Sequence, residues 1–281
     1  MCQLKSCLVL KDRVFCPDYN SHQSMLEELG IEDNYLHADK TFVRVEFTPP
    51  NNKSLIEPLD RWTLKVDQDV IPEWWDEKAD RQRVEEAVET WRKGHVFTGG
   101  KHIVTTGTVY AYGDAEVQVY NDAMVKAHNS AKVEAYGSAK VEAFDSVTVK
   151  AYGSAKVEAY SNAKVEAYRN AKVEAFDRAV VKAYNSVTVE AYNNVTVTAH
   201  DSVTVEAYNS ATVKAYSNVT VEAFDRAVVK PYCSTTVKAY GSAKVEAFDS
   251  VTVKAYNSAM AIYPEERKII YPTGWTAETH E

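Results

Sequence analysis

From Gly107 to Ser258 the chain is written in an eight-residue code, 19 octads over 152 residues with no insertion. Typical units read Ala131-Lys-Val-Glu-Ala-Tyr-Gly-Ser138 and Val147-Thr-Val-Lys-Ala-Tyr-Gly-Ser154. Positions 1, 3 and 5 are Ala or Val, then Val, then Ala, while positions 2 and 4 are mostly Lys, Thr or Glu. Alternation with period two describes a strand with one apolar and one polar face. Positions 7 and 8 come mostly from Gly, Asn, Asp and Ser, residues that accept turn conformations. A strand and a turn repeated in tandem cannot bury one face alone, so the octads must stack into a parallel β-solenoid.

Stacking assigns the remaining positions. Tyr136, Phe144, Tyr152, Tyr160 and their successors at position 6 are expected to form aromatic ladders along the corners, with His128 and His200 as members rather than ligands. Lys and Glu recur at positions 2 and 4, and interspersed Thr-Val-Lys and Thr-Val-Glu units are expected to break up columns of like charge. The expected wall is therefore solvated and nearly neutral. The thin Ala-Val-Ala inner face favours two octads per coil with the rings outside, against a triangular coil of three. Pro231 and Cys233 break the code, and Pro231 is expected at a strand's end because it cannot donate to a ladder. After Ser258 the code decays, and residues 264–281 are expected to cap the open strand edges. The front domain is expected to close the other end.

The first 99 residues have a different composition and read as a separate α+β domain, with the solenoid over 100–263. Four of the five Trp precede residue 100. Leu8-Val-Leu and Val14-Phe-Cys flank a Lys11-Asp-Arg13 turn, as in a hairpin. Ser21 can cap a helix from His22 to Leu29 that Gly30 stops. Thr41 to Phe47 and Arg61 to Val66 alternate as strands. After Pro72 a second helix runs to about Lys93, with Val84, Ala87, Val88 and Trp91 on one face. Gly99-Gly100 reads as a hinge.

Candidate chemistry in this domain is sparse. Cys2 becomes N-terminal on Met removal, as in amidohydrolases of the N-terminal-nucleophile class, but those folds need a larger four-layer sandwich. Asp67-Gln-Asp69 lacks the spaced acidic loop of a calcium site and reads as surface turn acids. His22, His37 and His95 have no metal-ligand spacing. No catalytic, cofactor or metal residues are assigned. The candidate partner-binding residues are Trp74 and Trp75, which cannot both face one core, and Glu85, Glu86 and Glu89 on the polar side of the second helix.

Composition limits the partners. The formal net charge is −8, and the first 106 residues hold 14 Lys+Arg against 19 Asp+Glu, so no basic patch for nucleic acid is expected. No apolar run has the length of a membrane span. Cys2, Cys7, Cys16 and Cys233 fall into neither a CxxC spacing nor a dense framework, which fits reduced thiols and a cytoplasmic setting in a bacterium or phage-infected host.

The repeat resembles the coils of bacterial ice-nucleation proteins in its octad pairs, turn Gly/Ser and Tyr ladder. It departs from their Thr-x-Thr columns, since only Thr196-Val-Thr198 matches, and ice binding is not expected. The whole chain resembles uncharacterised octapeptide-repeat proteins of gut bacteria and their phages. The likeness lies in Met1-Cys-Gln-Leu-Lys-Ser6, Lys40 to Glu46 and Val66-Asp-Gln-Asp69. It implies a phage or mobile-element setting and no catalytic residues. Three roles follow as expectations: a non-enzymatic rod whose front domain docks on a protein, a phage inhibitor or ligand sponge that blocks a host complex, and carbohydrate binding by exposed Tyr ladders.

Overall fold

A computed structural model describes residues 4–33, 40–50, 54–248, 250–264 and 268–270. Cys2, His37 and most of the expected C-terminal cap, Trp275 included, lie outside them. The chain divides into two compact units between Val96 and Phe97.

The first unit is built on a four-stranded antiparallel sheet in the order β2-β1-β3-β4, with β1 Lys5–Leu10, β2 Val14–Phe15, β3 Phe42–Thr48 and β4 Thr63–Val66. Every residue of β1 is buried, because helices cover both of its faces. Leu8 and Leu10 meet Met25 and Leu26 of α1 (His22–Leu29), while Lys5, on the opposite face, meets Trp91 of α2 (Glu77–His95). Local chemistry sets the helix ends. The Ser21 hydroxyl accepts the Ser24 N–H, Gly30 closes α1 at φ 64°, and the Asp76 carboxylate accepts the N–H groups of Lys78 and Ala79. Such caps are worth about 1 kcal/mol each. The second helix starts at Glu77 rather than directly after Pro72, where Asp76 supplies the first usable cap. In the same way β4 starts at Thr63, because Leu59–Arg61 forms a turn of 3-10 helix.

The second unit is the parallel β-solenoid. Each strand pairs in register with the strand sixteen residues away, as in Lys132↔Thr148 and Val133↔Val149, so two octads make one coil. Alternate octads build two opposed walls. Among the described residues, wall 1 has eleven strands, ending at Thr252–Ala255, and wall 2 has twelve, from Lys101–Val104 to Lys268–Ile270. Positions 1, 3 and 5 point inward and form one continuous Ala/Val core from Val104 to Ala261. At every described position 7 from Gly113 to Asn257 the backbone is left-handed, with φ between 42° and 70°. That single requirement explains the Gly, Asn and Asp preference there.

Coil pairing begins earlier than the octad code. Lys101 pairs with Glu116 only fifteen residues on, so the first coil is one residue short. Gly99 and Gly100 lie inside this coil and are not a hinge: the Gly100 carbonyl accepts the Glu116 N–H, and the Gly99 carbonyl contacts His102 Nε2 at 2.7 Å. At the other end Lys268–Ile270 pairs antiparallel with Met260–Tyr263 and covers that edge of wall 2. Pro231 is the last residue of its strand. Lacking an N–H, it cannot donate to the next coil, and the ladder to Lys244–Glu246 shrinks to two pairs. Thr235 takes an inward position in this region and donates its hydroxyl to the Tyr232 carbonyl at 2.6 Å.

The inward Ala and Val side chains pack against one another and are almost fully buried. Replacing the fully buried Ala167 by Leu is expected to destabilise the solenoid by about 1–3 kcal/mol through overpacking. Urea unfolding followed by far-UV circular dichroism would measure it.

Candidate functional site

The partner-binding residues expected from sequence all fall in the first unit. Trp74 and Trp75 are both half-buried, so neither is the core residue that the sequence implied. Trp74 Nε1–H donates to the Lys40 carbonyl at 2.7 Å, and the Trp75 N–H donates to the Pro72 carbonyl at 3.0 Å. The three glutamates are engaged along their own helix. Glu85 pairs with Arg81 Nε at 2.8 Å, Glu86 accepts from Gln82 Nε2 at 3.1 Å, and Glu89 lies 3.5 Å from Arg92 Nη1. These contacts neutralise part of the acidic face, and exposed pairs of this kind add only about 0.3–0.5 kcal/mol to the helix.

The turn acids also have local partners. Gln68 clamps the edge of β3, accepting the Arg44 N–H and donating to the carbonyls of Phe42 and Val70. Asp67 pairs with Lys65 and His22. Among the described residues, no group of three or more His, Cys, Asp or Glu is placed to hold a metal ion. Nor is any helix among them long and apolar enough to cross a membrane.

The solenoid walls differ from the sequence expectation. On wall 2 the signs are mixed, and Lys132–Glu116, Lys182–Glu166 and Lys230–Glu246 pair across successive coils at 2.9, 3.5 and 2.7 Å, although Lys214 and Lys230 stand in register. On wall 1 position 4 is Glu six coils running: Glu142, Glu158, Glu174, Glu190, Glu206 and Glu222, each in register with the next. The expected mixing of signs therefore fails on this wall. Two octads fill one coil, so only every second octad stacks on the same wall, and from Glu142 to Glu222 those octads all carry Glu at position 4. Reading the sequence at a period of sixteen exposes the column. Beside it at position 2 run Lys140, Lys156 and Lys172, then Thr188, Thr204, Thr220, Thr236 and Thr252.

Adjacent carboxylates in such a column repel, by up to about 1 kcal/mol per pair even in water at 4 Å. Several partners offset this. Lys126 meets Glu142 at 3.1 Å and Lys238 meets Glu222 at 2.8 Å, one at each end. Between them the hydroxyls of Tyr160, Tyr192 and Tyr208 donate to Glu158, Glu190 and Glu206 at 2.7, 2.7 and 2.5 Å. The hydrogen bond to Glu206 pushes the Tyr208 hydroxyl up to about 12. Glu174 differs because its neighbour at position 6 is Phe176, which has no hydroxyl. Partial desolvation, then the charges of Glu190 and Glu158, hold its carboxyl above the usual range.

The aromatic rings form two columns, Tyr112 to Tyr256 and Tyr120 to Phe248, with centroids 4.8–5.2 Å apart and planes within 12°. His128 and His200 sit in them as stacked members. Burial holds the His128 ring below the usual imidazole range and so keeps it neutral. Each inner ring has both faces covered by its neighbours. The columns thus offer edges and hydroxyls to solvent rather than the open faces on which a sugar stacks.

No family model, no curated protein and no solved structure matches this chain.

The carboxyl of Glu174 sits above its unfolded value, so its effect on stability is most favourable at low pH and declines as pH rises through the folded value. Glu174→Gln is therefore expected to raise Tm at pH 7, with the gain vanishing below about pH 4. Thermal unfolding of both chains at the two pH values would check the sign.

Proposed function

We propose that this chain is a non-enzymatic structural and binding protein, in which the solenoid serves as a stiff element of set length and the N-terminal domain docks on a protein partner. The observation that carries this reading is the unbroken internal order of the solenoid. One Ala/Val core runs through all the coils, and the ring columns stack beside it without a gap. A stack held by in-register ladders resists bending. Its inward and corner positions are consumed by packing, which leaves recognition to the outer walls and the first unit. There, Trp74 and Trp75 are half-buried and Glu86 is exposed.

A second reading is that the chain occupies and blocks a basic surface of a larger host complex, as a phage-encoded inhibitor would. The column of six carboxylates on wall 1 favours it, because its repeat suits an extended cationic surface.

Two deletions separate these readings. Removing residues 155–170 takes out one coil and leaves every later octad on its own wall. Removing 155–162 takes out one octad and sends Glu174, Glu190, Glu206 and Glu222 to the opposite wall. Both chains are expected to keep the far-UV spectrum of the parent, since all octads share one inward code. If the first unit docks, both deletions retain a partner that copurifies in stoichiometric amount with the parent chain. Binding lost only with the one-octad deletion would favour the acidic wall, and binding lost with both would sink the spacer reading.

A further inference from the structure

The hairpin of β1 and β2 brings together two cysteines that sequence spacing leaves unrelated. The pairing Leu8↔Phe15 and Val9↔Val14 sets Cys7 directly opposite Cys16. The Leu10 N–H donates to the Arg13 carbonyl at 2.8 Å, which makes Leu10/Arg13 a hydrogen-bonded pair. Counting back in alternation, Cys7/Cys16 is a non-hydrogen-bonded pair, the closer kind, with Cα atoms about 4.5 Å apart. That separation lies within the range a disulfide spans. The two are reduced, and the Cys7 thiol donates to the Cys16 sulfur at 2.9 Å.

The surroundings make the two thiols unequal. Cys7 is fully buried, while Cys16 is partly open to solvent. Lys5 lies on the same face of β1 as Cys7, with its ammonium 4.7 Å from the Trp91 ring centre and bonded to the carbonyls of Pro17 and Tyr19. Asp18, the nearby counter-charge, pairs with His95 at 2.8 Å. The hydrogen bond from Cys7, helped by the Lys5 charge, holds the Cys16 thiol below the usual thiol range, whereas burial pushes Cys7 up.

We propose that Cys7 and Cys16 are a redox-active dithiol that closes to a cross-strand disulfide by exchange with a small-molecule disulfide such as oxidised glutathione. The Cys16 thiolate attacks one sulfur of the glutathione disulfide. A Cys16–glutathione bond forms, the glutathione S–S bond breaks, and one glutathione leaves as thiolate. Cys7 then gives its proton to that thiolate and attacks the Cys16 sulfur, expelling the second glutathione. Two protein thiols are oxidised to one disulfide, and one glutathione disulfide is reduced to two thiols. The open sulfur reacts first and the buried one resolves, an order that burial imposes. This site is independent of the docking role proposed above, since it needs no partner protein.

The test uses the full chain carrying Cys2→Ser and Cys233→Ser, so that only this pair can react. Folded protein is incubated in defined mixtures of reduced and oxidised glutathione, quenched in acid, alkylated, and weighed by intact mass spectrometry. The expected products are the dithiol and the internal disulfide, interconverting with the glutathione ratio. Adding Cys7→Ser should trap glutathione on Cys16. Adding Cys16→Ser should leave the native chain at least about tenfold slower to react, with the difference lost in urea. Circular dichroism confirms that each variant is folded before it is scored. Two thiols that stay alkylatable in oxidised glutathione while a model dithiol closes, or equal native rates for the two single-cysteine chains, would overturn the proposal.

Discussion

Every described turn of the solenoid places its seventh residue in the left-handed region, and the rest of that unit depends on this one backbone requirement. Gly137, Asn129 and Asp145 meet it at low cost, whereas Ser161, Arg169 and Cys233 each carry strain of roughly 1 kcal/mol or more. Bonds between coils offset that strain. The Asp145 and Asp177 carboxylates accept the N–H groups of Asn129 and Ser161 one coil earlier, at 3.1 and 3.4 Å. The ladder bonds on either side, such as Tyr160 N–H to the Ala143 carbonyl at 2.8 Å, fix the height of each turn. A turn that fails here would shift the following strand by a residue and point its Ala and Val side chains outward.

With turns every eight residues and two octads to a coil, strands pair at a distance of sixteen, and the columns follow. Each residue type is then repeated along a wall at the spacing of strands, roughly 4.8 Å. For aromatic rings this repetition is favourable, adding about 0.5–1.5 kcal/mol per stacked pair. For carboxylates it is not, and the acidic wall persists because the same repetition supplies compensation. Tyr160, Tyr192 and Tyr208 bring hydroxyls to three of the four interior members of the column, and Lys126 and Lys238 sit at its ends. Where Phe replaces Tyr in the interior of the column, at Phe176, the adjacent Glu174 shows the electrostatic cost.

The solenoid was legible in sequence because its inward code is local: strand, corner and turn are all visible within one octad. The division of labour between walls was not, since it arises only when octads are sorted by the coil. Lys140 and Glu142 look like neighbours of Thr148 and Lys150 in sequence, yet these pairs sit on opposite walls. The first coil escaped for a related reason, being one residue short of the period between Lys101 and Glu116. In the first unit the helix caps Ser21 and Asp76 and the alternating strands obey short-range rules, so α1 was readable to the residue. The pairing of Cys7 with Cys16 could have been read from the hairpin, because a turn at Lys11-Asp12 sets partners whose numbers share a constant sum. A spacing rule built on CxxC misses it.

The two units therefore make surfaces in different ways. In a hairpin or helix a residue acts at one point, as where Lys5 of β1 meets the Trp91 ring of α2. In the solenoid a residue choice repeated at a period of sixteen acts along a line, so six Glu in alternate octads become one continuous anionic edge while the octads between them remain mixed. A change in a single octad alters that edge at one rung. Loss of one octad displaces everything after it to the other wall and leaves the core intact. The chemistry of the walls can thus vary while the inward code is kept, at an electrostatic cost of the kind Glu174 shows, and that separation is the physical property a scaffold that presents a surface requires.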